Sequence, residues 1–179
     1  MRRFLPCFLT LLCFIGLLNG CTVPSGSKDL SALSDEELYE TVYFRCIGLV
    51  DSYPNESIAL ESINSAQKAF YVLSMYDMEI QNGGLCQFFV NSSEALTLQV
   101  DACLEMLGAE DHRELFTGFV KDNGIDLQDL SSFRIDDIQD FAEQTQRYDF
   151  DSFDAQYYGL PPLYNTLIGY VRSNISEFN

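Results

Sequence analysis

The chain of 179 residues has no tryptophan, a single histidine, and ten lysines and arginines against 27 aspartates and glutamates. Each shortage excludes something. With so few cations the surface repels nucleic acid and anionic lipid, so direct DNA or RNA binding and adhesion to an acidic membrane are excluded, and a basic protein is the favoured partner. With one histidine, a histidine-activated nucleophile can form only around His112. That residue stands among Glu110, Asp111 and Glu114 in the first turn of a helix and is expected to be exposed. CxxC, HExxH and phosphate-cradling glycine loops are missing. The acidic stretches also fail as calcium loops. A frame from Asp122 puts Gly124 third and Leu127 sixth, and one from Asp149 puts Phe153 fifth, where oxygen ligands or the turn glycine belong. No metal, cofactor or catalytic residue is expected, and the chain reads as a non-enzyme.

Apolar runs are scarce as well. The one long run, Phe4 to Leu18, is fifteen residues, short of the roughly 20 a membrane span needs. Behind Met1-Arg2-Arg3 it has the form of a secretory leader. Leu18-Asn19-Gly20-Cys21 follows it and resembles a bacterial lipoprotein cleavage box, with Cys21 as the acylated residue. That resemblance implies a leader over 1–20, lipidated Cys21 with a Ser-rich flexible tether over 21–33, and a domain over 34–179. It also implies an extracytoplasmic, lipid-anchored location on a bacterial membrane. From Cys21 on, 27 carboxylates face eight cations, a net charge of −19. Three cysteines remain in the body, Cys46, Cys86 and Cys103, and their spacing leaves open one disulfide plus a thiol or three buried thiols.

What is present in the body has helical period throughout. Ser34 to Glu37 is a capping box, and Leu38, Val42, Cys46, Leu49 and Tyr53 recur at helical spacing until Pro54. A second helix is expected from Glu56 through Ala59, Ile63, Ala66, Phe70, Leu73 and Ile80 to Asn82-Gly83-Gly84, with Asp77 the misfit on its apolar stripe. A new helix then carries Gln87 to Asn91. Ser93 opens one that closes at Gly108, and another spans Glu110 to Lys121 with Leu115, Phe116, Phe119 and Val120 inward. Between Asp122 and Asp154 lies an acidic belt of Asp122, Asp126, Asp129, Asp136, Asp137, Asp140, Glu143, Asp149, Asp151 and Asp154, expected at the surface around one helix near 136–147. Asp149 to Asp154 alternates but is too isolated for a strand. Pro161-Pro162 starts a last helix with Leu163, Leu167, Tyr170 and Val171 inward. Hairpin signals and repeats are missing, so the fold class is all-α: a single multi-helix domain.

One stretch is specific. Glu79, Asn82, Gly83, Gly84, Gln87 and Asn91 fall at helical intervals around a Gly-Gly break. Gln87 and Asn91 share a helix face, and Glu79 and Asn82 approach the same corner from the other side. Two readings follow: a satisfied polar network that fixes how two helices meet, or a ligand or partner site, in which Glu79, Gln87 and Asp77 would be the groups available to a cation or a substrate.

The pattern Glu79-x-x-Asn82-Gly83-Gly84-x-x-Gln87-Phe88-x-x-Asn91 resembles the signature of a family of bacterial domains named after the C-terminal domain of a DNA-mimic protein. Leu104-x-x-Leu107-Gly108-Ala109 and Phe150 to Tyr158 resemble two further family segments, so the resemblance covers Ser34 to Phe178. It implies an all-α domain with an acidic surface, in a family without an assigned catalytic activity, whose namesake binds a DNA-binding protein. Combined with the leader, the expected function is a lipid-anchored, acidic, non-catalytic binding module at the cell envelope that engages a basic protein, an immunity-like role among them. The alternatives are a DNA mimic that binds a DNA-binding protein, and a carboxylate-based enzyme or cation site.

Overall fold

In a computed structural model, residues 29–136 and 138–179 are described, and they contain nine α-helices, three short 3-10 turns and no strand. The leader, Cys21 and Asp137 lie outside the described residues. The chain runs α1 (Asp35–Asp51), α2 (Glu56–Ser62), α3 (Ser65–Asn91), α4 (Glu94–Thr97), α5 (Val100–Leu107), α6 (Glu110–Asp122), α7 (Ile138–Gln144), α8 (Phe150–Tyr157) and α9 (Leu163–Ser173).

Capping residues set most of the boundaries. The Ser34 hydroxyl accepts the Glu37 N–H while the Glu37 carboxylate takes the Ser34 N–H, the reciprocal pair expected at the start of α1. The long helix expected from Glu56 is in fact two. Asn64 and Gln67 form a second capping box that ends α2 and begins α3, and the Asn64 side chain also donates to the Glu177 carbonyl at 2.9 Å. Leucine-type periodicity continues across this break, which is why it hides the cap. The Asp149–Asp154 alternation is helical: the Asp149 carboxylate accepts the Ser152 N–H and starts α8.

Helix α3 is the axis of the fold and packs against α1, α5, α8 and α9. Its Tyr76 is fully buried and meets the rings of Phe88, Phe116 and Tyr157 edge-on, with centroids 5.1, 5.5 and 5.8 Å away. Such edge-to-face contacts use the ring quadrupole and add to plain area burial. With no tryptophan, Phe and Tyr from α3, α6 and α8 fill the centre.

Two expectations change here. The tether was expected to reach Leu33, but its described part is packed: Leu30–Ala32 is a 3-10 turn and Leu30 is fully buried in the core. His112 is buried, not exposed. Its Nε2 lies 2.9 Å from the Pro161 carbonyl and its ring sits 4.9 Å from Tyr157. Cys46, Cys86 and Cys103 are three separate buried thiols, which settles the pairing question. Burial pushes Cys46 and Cys103 up to about 12 and Cys86 to about 11, far from the thiolate range at neutral pH.

Candidate functional site

The Gly-Gly break is a kink inside α3. Gly83 is extended at φ −168°, and Gly84 has φ +79° and ψ 179°, a combination essentially confined to glycine. Across the kink, one carboxylate oxygen of Glu79 accepts both the Gln87 side-chain amide at 2.9 Å and the Asn91 amide at 2.8 Å. A Cβ on Gly83 would lie 2.2 Å from the Gln87 Oε1, so the glycine makes room for the very amide that Glu79 holds. Glu79, Gln87 and Asn91 are thus spent on one another, as the network reading anticipated. Asn82 is exposed and takes no part in that network.

Helix α8 supplies the other half of the joint. The Asp154 carboxylate accepts the Leu85 N–H at 2.9 Å, at the first turn after the kink. Tyr157 donates to Asp77 at 2.7 Å, and Tyr158 donates to the Ile80 carbonyl at 2.8 Å. Spaced three and four apart, Asp154 and Tyr157 on α8 and Tyr158 at its C-cap share one face and clasp α3 on both sides of its bend. Asp77, the misfit on the α3 stripe, is therefore the acceptor for a buried tyrosine. Asp154 departs from the surface role expected of it: it is half-buried and structural.

Burial raises the Asp154 carboxyl above its ordinary value, nearby Asp151 adds to the rise, and the Leu85 N–H works against it. A carboxyl raised on folding contributes stability that is present in acid and lost as pH rises through its folded value. Asp154→Asn keeps the acceptor for Leu85 and removes the charge, so it should leave thermal stability at pH 7 equal or higher, with the difference from wild type closing toward pH 4. Asp154→Ala, which orphans the Leu85 N–H, should cost about 1–3 kcal/mol. Melting curves of both variants at the two pH values check this; an Asn variant as damaged as Ala would contradict it.

The acidic belt is distributed differently from the joint. Asp122, Asp126, Asp129, Asp136, Glu143, Asp149 and Asp151 are exposed, and Asp140 is half-buried. Several double as local caps: Asp126 accepts the Gln128 N–H, Asp129 the Ser131 N–H and Asp140 the Asp136 N–H. Hydrogen bonds from the Ser131 side chain and backbone hold Asp129 below the usual carboxylate range, so its charge persists in mild acid. Cations compensate little of this. Among the described residues the ion pairs gather on Arg113, with Asp101, Glu105 and Glu110, and on Arg172, with Asp35.

Two belt residues, Asp122 and Asp149, come together with Asp111 and Glu114 around a groove of about 540 Å³ between α6 and α8. Half-buried Leu115 and Phe119 and buried Phe153 form its apolar floor, and the four exposed carboxylates stand around it. No lysine or arginine lines it, and among the described residues none of the four has a cation within ion-pair distance. Asp111 and Glu114 were not foreseen as site residues, although Asp111, Leu115, Gly118 and Asp122 share one face of α6 at helical spacing. An apolar floor ringed by carboxylates is chemically suited to a cationic group on an aliphatic stem.

A family model described as DMP19-like protein matches residues 61–174. The chain belongs to the DMP19-like family. The matched span contains the kink, the Glu79–Gln87–Asn91 network, α8 with its three clasping side chains, and every residue of the acidic groove. The joint and the groove therefore both lie inside the DMP19-like domain. Comparison with curated proteins and with solved structures gives no match.

Proposed function

We propose that this DMP19-like domain is a non-catalytic protein-binding module that offers DNA-like negative charge to the basic, DNA-binding surface of another protein. The observation that carries the reading is the groove between α6 and α8, where Asp111, Glu114, Asp122 and Asp149 surround an apolar floor without a compensating cation. Carboxylates one turn apart on a helix are about 5–6 Å from each other, and duplex DNA presents a charge about every 1.7 Å along its axis. A surface evolved to clamp phosphates meets a row of anions here, spaced roughly three times more widely than the charges along the duplex axis. Family membership supports the same reading, and so does the way the polar motif residues are consumed internally, which leaves the acidic face as the chemistry on offer.

Binding of this kind is screened. A partner captured by the immobilised full chain at low ionic strength should be released near about 0.3 M salt, where the Debye length is roughly 5–6 Å. Capture that persists undiminished in molar salt would overturn the proposal.

A second reading concerns where this happens. Leu18-Asn19-Gly20-Cys21 favours an acylated Cys21 and an envelope location, in which case the basic partner is extracytoplasmic. Mass spectrometry of the mature N-terminus decides it: acylated Cys21 supports the anchor, and an intact Met1 leader on a cytosolic protein refutes it.

A further inference from the structure

The aromatic side chains are not all in the core. Phe44 on α1 is 68% exposed, a large apolar ring that gains nothing by facing water. It is the end of a strip. Its centroid is 5.5 Å from Tyr43, Tyr43 is 6.1 Å from Tyr39 and stacked within 10°, and Tyr39 is 5.1 Å from Tyr164 of α9. The three tyrosines are half-buried, so the strip is anchored at one end and open at the other. Exposed Glu36 lies one helical turn from Tyr39, and exposed Glu40 lies one turn from both Tyr43 and Phe44. Rings and carboxylates thus alternate along α1.

We propose that this strip, resting on the protein-binding reading above, is a further contact surface for the partner protein, and that its occupant is an arginine-bearing segment of that partner. Carboxylates alone attract lysine and arginine alike. A ring face beside a carboxylate distinguishes them, because the planar guanidinium stacks on the ring while its N–H groups reach the carboxylate, and an ammonium is too strongly hydrated to do both. Isolated exposed aromatics are ordinary. A four-ring ladder edged by anions offers ring faces and carboxylates within one helical turn of each other, and large aromatic anchors are enriched among residues that dominate binding energy.

The test compares deca-arginine with deca-lysine on the full chain in non-ionic detergent, by calorimetry. Wild type should bind the arginine peptide about fivefold tighter, the worth of one exposed cation–π contact. Phe44→Ala should reduce the preference to near unity while leaving lysine affinity unchanged, and Phe44→Tyr should retain it. Because Phe44 is mostly exposed, its removal should leave the circular dichroism and melting curve intact. Equal binding of both peptides, unmoved by Phe44→Ala, would overturn the strip's role and leave the charge-based reading standing. Failure to bind either peptide would remove both. Concentration-dependent dimerisation abolished by Phe44→Ala, with peptide binding unaltered, would assign the strip to a second copy of the chain and overturn the proposal.

Discussion

Gly84→Ala should be the most damaging single-methyl change in the domain. Two costs coincide. The backbone at φ +79° and ψ 179° is one that L-residues avoid, and holding alanine there costs about 1–3 kcal/mol. The new Cβ would also lie 2.0 Å from the Asp154 Oδ2, so either the kink opens or α8 retreats. Retreat gives up the Asp154–Leu85 hydrogen bond and leaves a buried N–H unsatisfied, another 1–3 kcal/mol or so. The expected total is about 2–6 kcal/mol out of a typical 5–15, a fall in Tm of roughly 4–24 °C. Gly48→Ala is the control. Gly48 is an exposed mid-helix position in α1 whose Cβ would meet nothing within 4 Å, so alanine there should stabilise by about 0.5–1 kcal/mol. Thermal melts in which the two variants behaved alike would show that the kink is not the rigid joint described.

The largest expected effect on binding comes from neutralising the groove. Asp111→Asn, Glu114→Gln, Asp122→Asn and Asp149→Asn remove four charges and keep each side chain's shape. Each exposed charge facing a cation contributes on the order of 0.5–1 kcal/mol, so together they should weaken partner binding by about 2–4 kcal/mol, roughly 30- to 1,000-fold. Stability should hold or rise, because asparagine still caps α8 in place of Asp149 and like-charge repulsion falls. This separates the groove from the joint: the quadruple variant should fold normally and bind poorly. A quadruple variant that binds as well as wild type would remove the groove from the interface.

The helices were largely readable because their causes are local. Ser34 and Glu37 are three residues apart and cap each other, and the apolar stripe of α1 needs no tertiary partner to be seen. The break at Asn64 had a readable signal too, a cap with Gln67 three residues on, but Ile63 and Ala66 keep helical spacing on either side and mask it. His112 was misread from its acidic neighbours along the chain, although it stands four residues before Phe116 on the inward face of α6. Leu30 stands with Ala32 and Leu33 in a serine-rich stretch too short to show a helical stripe, so nothing nearby announces that the core reaches it.

The site was harder for the same physical reason. Asp154 looks like nine other belt carboxylates in sequence; what sets it apart is an N–H 69 residues earlier, at Leu85. Likewise Glu79, Gln87 and Asn91 could be placed at one corner by helical spacing, but whether they faced a ligand or each other depended on the Gly83-Gly84 dihedral angles, which composition does not encode. The groove joins α6 to α8 across tertiary contacts, so only its α6 face was legible in advance.

The most direct test of the central claim is a competition measurement. A protein partner bound to the full chain at low salt should be displaced by duplex DNA in a concentration-dependent way, with the same DNA giving no binding to the chain itself. That result requires the acidic face and DNA to occupy one surface of the partner. A ternary complex, in which the partner holds DNA and this domain at once with undiminished affinity for each, would contradict the account.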